Sequence, residues 1–499
     1  MKSWIPSAII YQINLRSLAA REPRNAFEAA REKATAESPL AYVARNLTAI
    51  KKLGANVLYF MPPYPIGHVC RKGIGSPYSI RDFRAIEPEY GTIDEMTALV
   101  RRAHAMGLKV IFDITPNHTS RDNVWVASNP EFYVKRENGE AFYDCDWNDT
   151  AKLDYRQLAL RAEMIAIYDH WLGFLGNGDG VDGFRLDMAH FINDKGFWNE
   201  AMPELKRRHA DRELLFLAEC YGIDNNMDLF ARGINAAYDD DFYKVCQDLY
   251  GIDESGATRI IPAADLAQND AFKDRYLALQ ADGIAGAFEK ALMNYESRFG
   301  RAKDAPFLAR YTDNHDEGRG MYLYGEGAVR AVNQLIFLSN HTLPFILTGE
   351  EFGAVNRPPI HDRMNPIGKK RRVQSGDRVW EQDCVEFEGN LFARGFARRR
   401  GLYAFFQELI RLRLKNRELT LGAFALVDAG EDVRRNRRAV VAFDRTLGNR
   451  VLHCAVNMGT EPRALRNDAF FSGNPVYGKL ADGALPPFSA VVTRAPSAT

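Results

Sequence analysis

Apolar residues in this chain gather in short, dense runs. Eight stand out, at residues 8–13, 57–61, 109–114, 183–186, 215–218, 236–238, 307–311 and 345–347. A strand covered on both faces loses the polar alternation of a half-exposed one, so these runs predict buried parallel strands. Between many of them lie stretches with helical periodicity. Residues 40–53 lead into the second run, 93–106 into the third, 157–175 into the fourth and 285–295 into the seventh. Gly107 stands where a helix C-cap is needed, and Gly176-Asn177-Gly178 closes the following helix. Alternating strands and helices imply an α/β fold on a parallel sheet. Eight strands over roughly 400 residues fit a (β/α)8 TIM barrel with insertions. The rival, an open doubly wound sheet, is weakened because no G-x-G-x-x-G follows an early strand.

The spacing divides the chain further. Between about residues 118 and 157 no barrel element is evident, and the segment carries Trp125, Pro130, Trp147 and many polar residues. It reads as a small insertion after the third strand. Beyond a helical pattern at 402–414 the texture changes to apolar or alternating runs at 421–428, 439–444 and 451–456 with Gly and Asn turns. That predicts an all-β C-terminal unit, sandwich-like in character. The expected organisation is a catalytic barrel over 1–117 and 158–415, an insertion over 118–157 and a C-terminal β domain over 416–499.

Composition narrows the function classes. The 499 residues are 46% hydrophobic and 26% charged, with 65 basic and 65 acidic side chains. A balanced chain has no global field to attract a polyanion, so nucleic acid is not an expected partner. The basic run Lys369-Lys370-Arg371-Arg372 reads as a solvated loop. Cys70, Cys145, Cys220, Cys246, Cys384 and Cys454 are scattered without a C-x-x-C pair, which predicts free thiols and a reducing compartment. No run approaches 18 apolar residues, and the N-terminal one soon meets Gln12 and Asn14, so a cytoplasmic protein is expected.

In a barrel of this kind functional groups project from the C-terminal ends of the strands. After the third run come Asp113, Asn117 and His118. The fourth delivers Arg185 and Asp187, the fifth Glu219, and the seventh Asp313, Asn314, His315 and Asp316. One strand-end Asp is more often a helix N-cap than a catalyst, and one His is more often structural. Carboxylates, imidazoles and a guanidinium converging on one rim are harder to explain as structure, since gathered like charges cost stability. Paired carboxylates suit glycoside hydrolysis, one attacking the anomeric carbon and the other protonating the departing oxygen. Arg185, two residues before Asp187, shares its strand face and is placed to hold it ionised.

These residues are similar to the α-amylase family of glycoside hydrolases. The resemblance runs from about residue 8 to the C-terminal unit and rests on ordered blocks at 113–118, 183–190, 219 and 314–316. Flanking blocks agree: Gly75-Ser-Pro-Tyr78 through Phe83, and Gly349-Glu-Glu351-Phe-Gly353. The resemblance implies a retaining mechanism with Asp187 as nucleophile, Glu219 as acid/base and Asp316 as the third carboxylate. It implies Arg185 supporting the nucleophile, His118 and His315 hydrogen-bonding the sugar, and Tyr78 stacking on it. Asn314, Tyr221 and Arg319 are further candidates for the pocket.

Two departures bear on specificity. Family members commonly bind a structural calcium where the insertion meets the barrel, with Asn117 matching one ligand. Here Lys152 falls where a ligating aspartate would be, so neither calcium nor any other cofactor is expected. After the nucleophile, His190-Phe191 replaces the Lys-His common in digestive amylases. The segments 61–67 and 71–78 resemble a subgroup that includes maltosyltransferases. The expected activity is therefore hydrolysis of α-1,4 bonds in starch- or glycogen-derived maltooligosaccharides, with transglycosylation by the same triad as the alternative. A non-catalytic carbohydrate-binding relative is disfavoured by the intact set of three carboxylates.

Overall fold

The computed structural model describes residues 3–18, 37–250, 283–299, 305–354, 357–358, 360–361, 370–375, 378–383, 400–431 and 438–496. Cys384 and much of the 356–395 loop lie outside them.

Eight parallel strands close into a barrel: β1 (Ile10–Ile13), β2 (Val57–Phe60), β3 (Lys109–Ile114), β4 (Gly183–Leu186), β5 (Leu215–Ala218), β6 (Ala236–Tyr238), β7 (Phe307–Arg310) and β8 (Thr342–Leu347). Each pairs with its chain neighbours, and β1 closes the ring. Ile10 lies beside Val57 on one side and Phe345 on the other. Closure leaves no edge strand to protect. β8 starts at Thr342, three residues before the sequence-based expectation, and runs through Pro344, which pairs with Arg310. Proline reads as a strand stop, but its missing N–H removes at most one ladder bond. The apolar burial of Leu343 and Phe345 on either side carries the strand through.

The connecting helices begin and end on local chemistry. The Ser38 hydroxyl caps Pro39–Leu53 by accepting from Ala41 N, and Gly54, at φ 109°, ends it. Thr92 and Glu95 form a reciprocal capping box on Ile93–Ala105, and Gly107 follows at φ 71°. Gly183 opens β4 at φ 152°; a Cβ there would lie 1.9 Å from Leu215 O, so only glycine lets β4 and β5 approach.

After β3 the chain makes a hairpin, His118–Ser120 against Thr150–Lys152, with His118 opposite Lys152. The span between them packs Trp125 on Phe83 and Phe132. At the C-terminal end, strands Ala423–Leu426, Val440–Leu447, Arg450–Asn457, Ala490–Arg494 and Asn474–Tyr477 form one antiparallel sheet in that order. One face (Val441, Phe443, Leu452, Val492) joins the barrel core, and the other (Val440, Ala442, Ala455, Val491) builds a second, smaller core. Buried Arg445 fastens this sheet to the barrel, and buried Arg413 fastens the helix Arg400–Lys415 that precedes it. Arg445 donates to Leu338 O at 2.9 Å, and Arg413 to Phe337 O at 2.7 Å and Thr342 O at 2.6 Å. Leu338 O and Phe337 O are carbonyls that the helix Gly325–Leu338 leaves open at its end, and Thr342 O starts β8. No described helix is long and apolar enough to cross a membrane.

Candidate active site

Arg185 and Asp187 lie two residues apart at the end of β4, so both side chains turn to the same rim. Arg185 is wholly buried. Its Nη1 donates to Asp187 Oδ1 at 2.7 Å and to Asp113 Oδ1 at 3.0 Å. Its Nη2 lies 2.9 Å from Glu219 Oε2 as an ion pair, without good hydrogen-bond alignment. One guanidinium, flanked by the rings of Tyr78 and Tyr238, thus joins carboxylates from three strand ends. A single positive charge cannot neutralise three buried negatives. Burial, then the Glu219 charge, push the Asp187 carboxyl well above the usual range, and Arg185 opposes them. Burial likewise raises Asp113 against the pull of Arg185 and His315. The two carboxyls repel each other, and Arg185 is the contact that favours the ionised form of both.

Glu219 is held at both oxygens. Met188 N donates to Oε2 at 3.0 Å, and the Tyr221 hydroxyl donates to Oε1 at 2.7 Å. Tyr221 is 38% exposed, which places it at the mouth of the cleft.

On the opposite side, His315 Nδ1 is 2.7 Å from the Gln12 side-chain amide nitrogen. An amide N–H can only donate, so Nδ1 is the acceptor and the ring proton sits on Nε2; this tautomer is assigned from the hydrogen-bond network. Nε2 meets Asp316 Oδ2 at 2.9 Å and the Tyr78 hydroxyl. The Tyr78 ring stacks on His315, 5.4 Å between centroids at 17°, and its hydroxyl donates to Asp113 Oδ2. Although burial opposes ionisation of Asp316, its contact with His315 and the charges of Arg357 and Arg185 hold its carboxyl well below the usual range.

Asp187, Glu219, Asp316, Arg185, His315 and Tyr78 therefore come together. Asn314 does not face them. Its Oδ1 accepts from Asp316 N and Glu317 N, so it shapes the loop that presents Asp316. Arg319 is buried beneath that loop, donating to Thr348 O at 2.6 Å with Asp313 3.5 Å away. Three participants escaped the sequence reading: Gln12, Tyr59, whose hydroxyl bonds Asp113 Oδ2, and Arg357, whose Nε donates to His315 O at 2.6 Å. Gln12 and Tyr59 occupy strand interiors in apolar runs, and Arg357 belongs to a loop without pattern.

His118 is buried against Trp147, 5.4 Å between centroids, and burial lowers its pKa to about 4. Trp147 packs in turn on Phe191, and the His190 ring meets both Phe191 and Tyr221. Lys152 Nζ donates to both oxygens of Asp144 at 2.8 and 2.7 Å and to Phe191 O at 3.0 Å. Asn117 donates through Nδ2 to Asp144 Oδ2 at 2.8 Å.

The family model for the alpha amylase catalytic domain matches residues 33–422. The chain is 25% identical over 502 residues to Alpha-amylase MalA of Haloarcula japonica, covering 98% of this chain and 61% of that one. It is 31% identical over 218 residues to an alpha-1,4-glucan:maltose-1-phosphate maltosyltransferase of Rhodospirillum rubrum, covering 39% of this chain and 30% of that one. It thus spans less than two thirds of the length of these two relatives. The crystal structure of an alpha-amylase from Lactobacillus plantarum superposes with a TM-score of 0.71 at 23% identity over 99% of each chain, a likeness of fold. With the family model spanning most of the sequence and the motif carboxylates gathered on one barrel rim, the chain belongs to the alpha-amylase family.

Proposed function

We propose that this protein is a retaining glycoside hydrolase that cleaves α-1,4-glucosidic bonds in maltooligosaccharides derived from starch or glycogen. The observation that carries the reading is the single Arg185 guanidinium joining Asp187 and Glu219. Retaining enzymes hold their carboxyl pair about 5–5.5 Å apart and inverting ones about 6.5–9.5 Å; a shared guanidinium favours the shorter spacing.

In this scheme an Asp187 oxygen attacks the anomeric carbon while Glu219 gives its proton to the departing glycosidic oxygen. The C–O bond breaks, leaving a glycosyl ester on Asp187. Glu219, now ionised, takes a proton from water, whose oxygen attacks the same carbon and frees Asp187. The negative charge of Asp316, fixed by His315, faces the positive charge that develops on the sugar. The Tyr221 hydroxyl that donates to Oε1 of Glu219 must give way for that oxygen to face the glycosidic oxygen.

The aromatic wall of Trp147, Phe191, His190 and Tyr221 favours a second reading, in which an acceptor sugar replaces water and the reaction is a glycosyl transfer. Incubation with one pure maltooligosaccharide separates the two. Only shorter products at low substrate support hydrolysis; products longer than the starting sugar support transfer. Asp187→Asn, folded but inactive on every such substrate, is expected under both, and undiminished turnover overturns both. The exposed, unpaired Cys70 and Cys145 support a reducing compartment, and we place the protein in the cytoplasm.

A further inference from the structure

The junction of insertion and barrel, where the family resemblance implies calcium, does not suit that ion. Calcium takes six to eight oxygen ligands. Here the Lys152 ammonium has three N–H bonds and three acceptors: the two Asp144 oxygens and Phe191 O. Its donors are all used, and the charge of Asp144 is already balanced. A divalent ion among these oxygens would lie against a buried ammonium.

Asn117 supplies the second argument. An amide that ligates a cation turns its oxygen inward. Asn117 instead points Nδ2 at Asp144, while its buried Oδ1 has no hydrogen-bond partner among the described residues. The side chain faces an anion already joined to a cation, and its orientation follows from that bond.

We propose that Lys152 is a built-in cation that takes the place of a metal ion in joining the insertion to the barrel. The ammonium ties together three pieces of chain: the hairpin that carries it, the insertion loop at Asp144 and the segment after β4 at Phe191. Trp147 lies three residues beyond Asp144 and packs on both His118 and Phe191. Holding Asp144 therefore holds Trp147 and, through it, the buried face of His118. Lys152 is a positioning residue and has no part in bond breaking.

The test uses the full chain and does not depend on the reaction. Thermal unfolding is recorded after exhaustive treatment with EDTA and again in excess calcium, and the two midpoints are expected to coincide. A midpoint that falls on chelation and recovers with calcium overturns the proposal, because a resident ion stabilises by mass action. In a second measurement, Lys152→Met is compared with the unaltered chain by limited proteolysis. Cleavage between residues 121 and 149 is expected to rise at least several-fold while the main unfolding transition persists. An insertion as resistant as in the unaltered chain overturns the proposal.

Discussion

The Tyr221 hydroxyl donates a 2.7 Å hydrogen bond to Oε1 of Glu219. A hydroxyl that donates to a carboxylate fixes the direction in which that carboxyl points. Tyr221→Phe removes that donor and leaves Oε1 of Glu219 less well aimed at the departing oxygen. The loss of about 1 kcal/mol expected for one such bond lowers kcat roughly fivefold, with little change in the unfolding midpoint. An unchanged kcat would show that the contact does not orient the acid.

Among the described residues, Arg185 is the one positive side chain paired with all three of Asp113, Asp187 and Glu219. Removing one side of a buried ion pair costs about 3–5 kcal/mol, because the remaining charges are left uncompensated. Arg185→Met should lose stability on that scale in denaturant titration, together with nearly all activity. Arg185→Lys should fold better yet remain far less active, since a single ammonium cannot span carboxylates on two sides. Wild-type turnover in the lysine variant would remove the guanidinium from the account.

At the other end of the barrel, His104 Nε2 pairs with Asp182 Oδ2 at 2.9 Å, and Lys109 Nζ meets Oδ1 of the same carboxylate at 2.7 Å. Burial opposes charge on His104, yet Asp182 and Asp179 outweigh it and hold its pKa above the ordinary 6.5. A raised histidine pKa contributes stability that is complete below the unfolded value and is lost as pH rises through the folded one. His104→Gln should therefore cost about 1 kcal/mol near pH 5.5 and less at pH 9. Equal losses at both pH values would refute a role for the imidazolium charge.

Phe191 bridges Trp147 and His190 on the aromatic wall. If that wall receives an acceptor sugar, Phe191→Ala should lower the ratio of longer to shorter products and raise KM for the acceptor. A ratio unchanged across acceptor concentrations would leave the wall without that role.

The barrel was readable because parallel strands buried on both faces are written as apolar runs, and β3 to β6 fall where those runs lie. Asp187 and Glu219 were readable because a strand end places its residue on the rim. Other parts were hidden for physical reasons. Gly196–Arg208 contains Pro203, which reads as a break. Gly325–Leu338 buries ten of its 14 residues, Asn333 and Gln334 among them, so its polar positions do not mark a solvent face. Gln12 reaches His315 across 303 residues of sequence, a contact that only barrel closure creates. Asn314 lies between Asp313 and His315 in a motif block, yet it turns back onto its own loop, and sequence adjacency does not encode that direction.

The central claim, that Asp187 forms a covalent bond to the sugar, is tested most directly by mass spectrometry of the protein mixed with a 2-deoxy-2-fluoro maltosyl fluoride, which slows release from the enzyme. The account predicts one fluoromaltosyl adduct, mapped after digestion to Asp187, and absent from Asp187→Asn. Turnover that inverts the anomeric configuration with no adduct, or an adduct on another carboxylate, would contradict it.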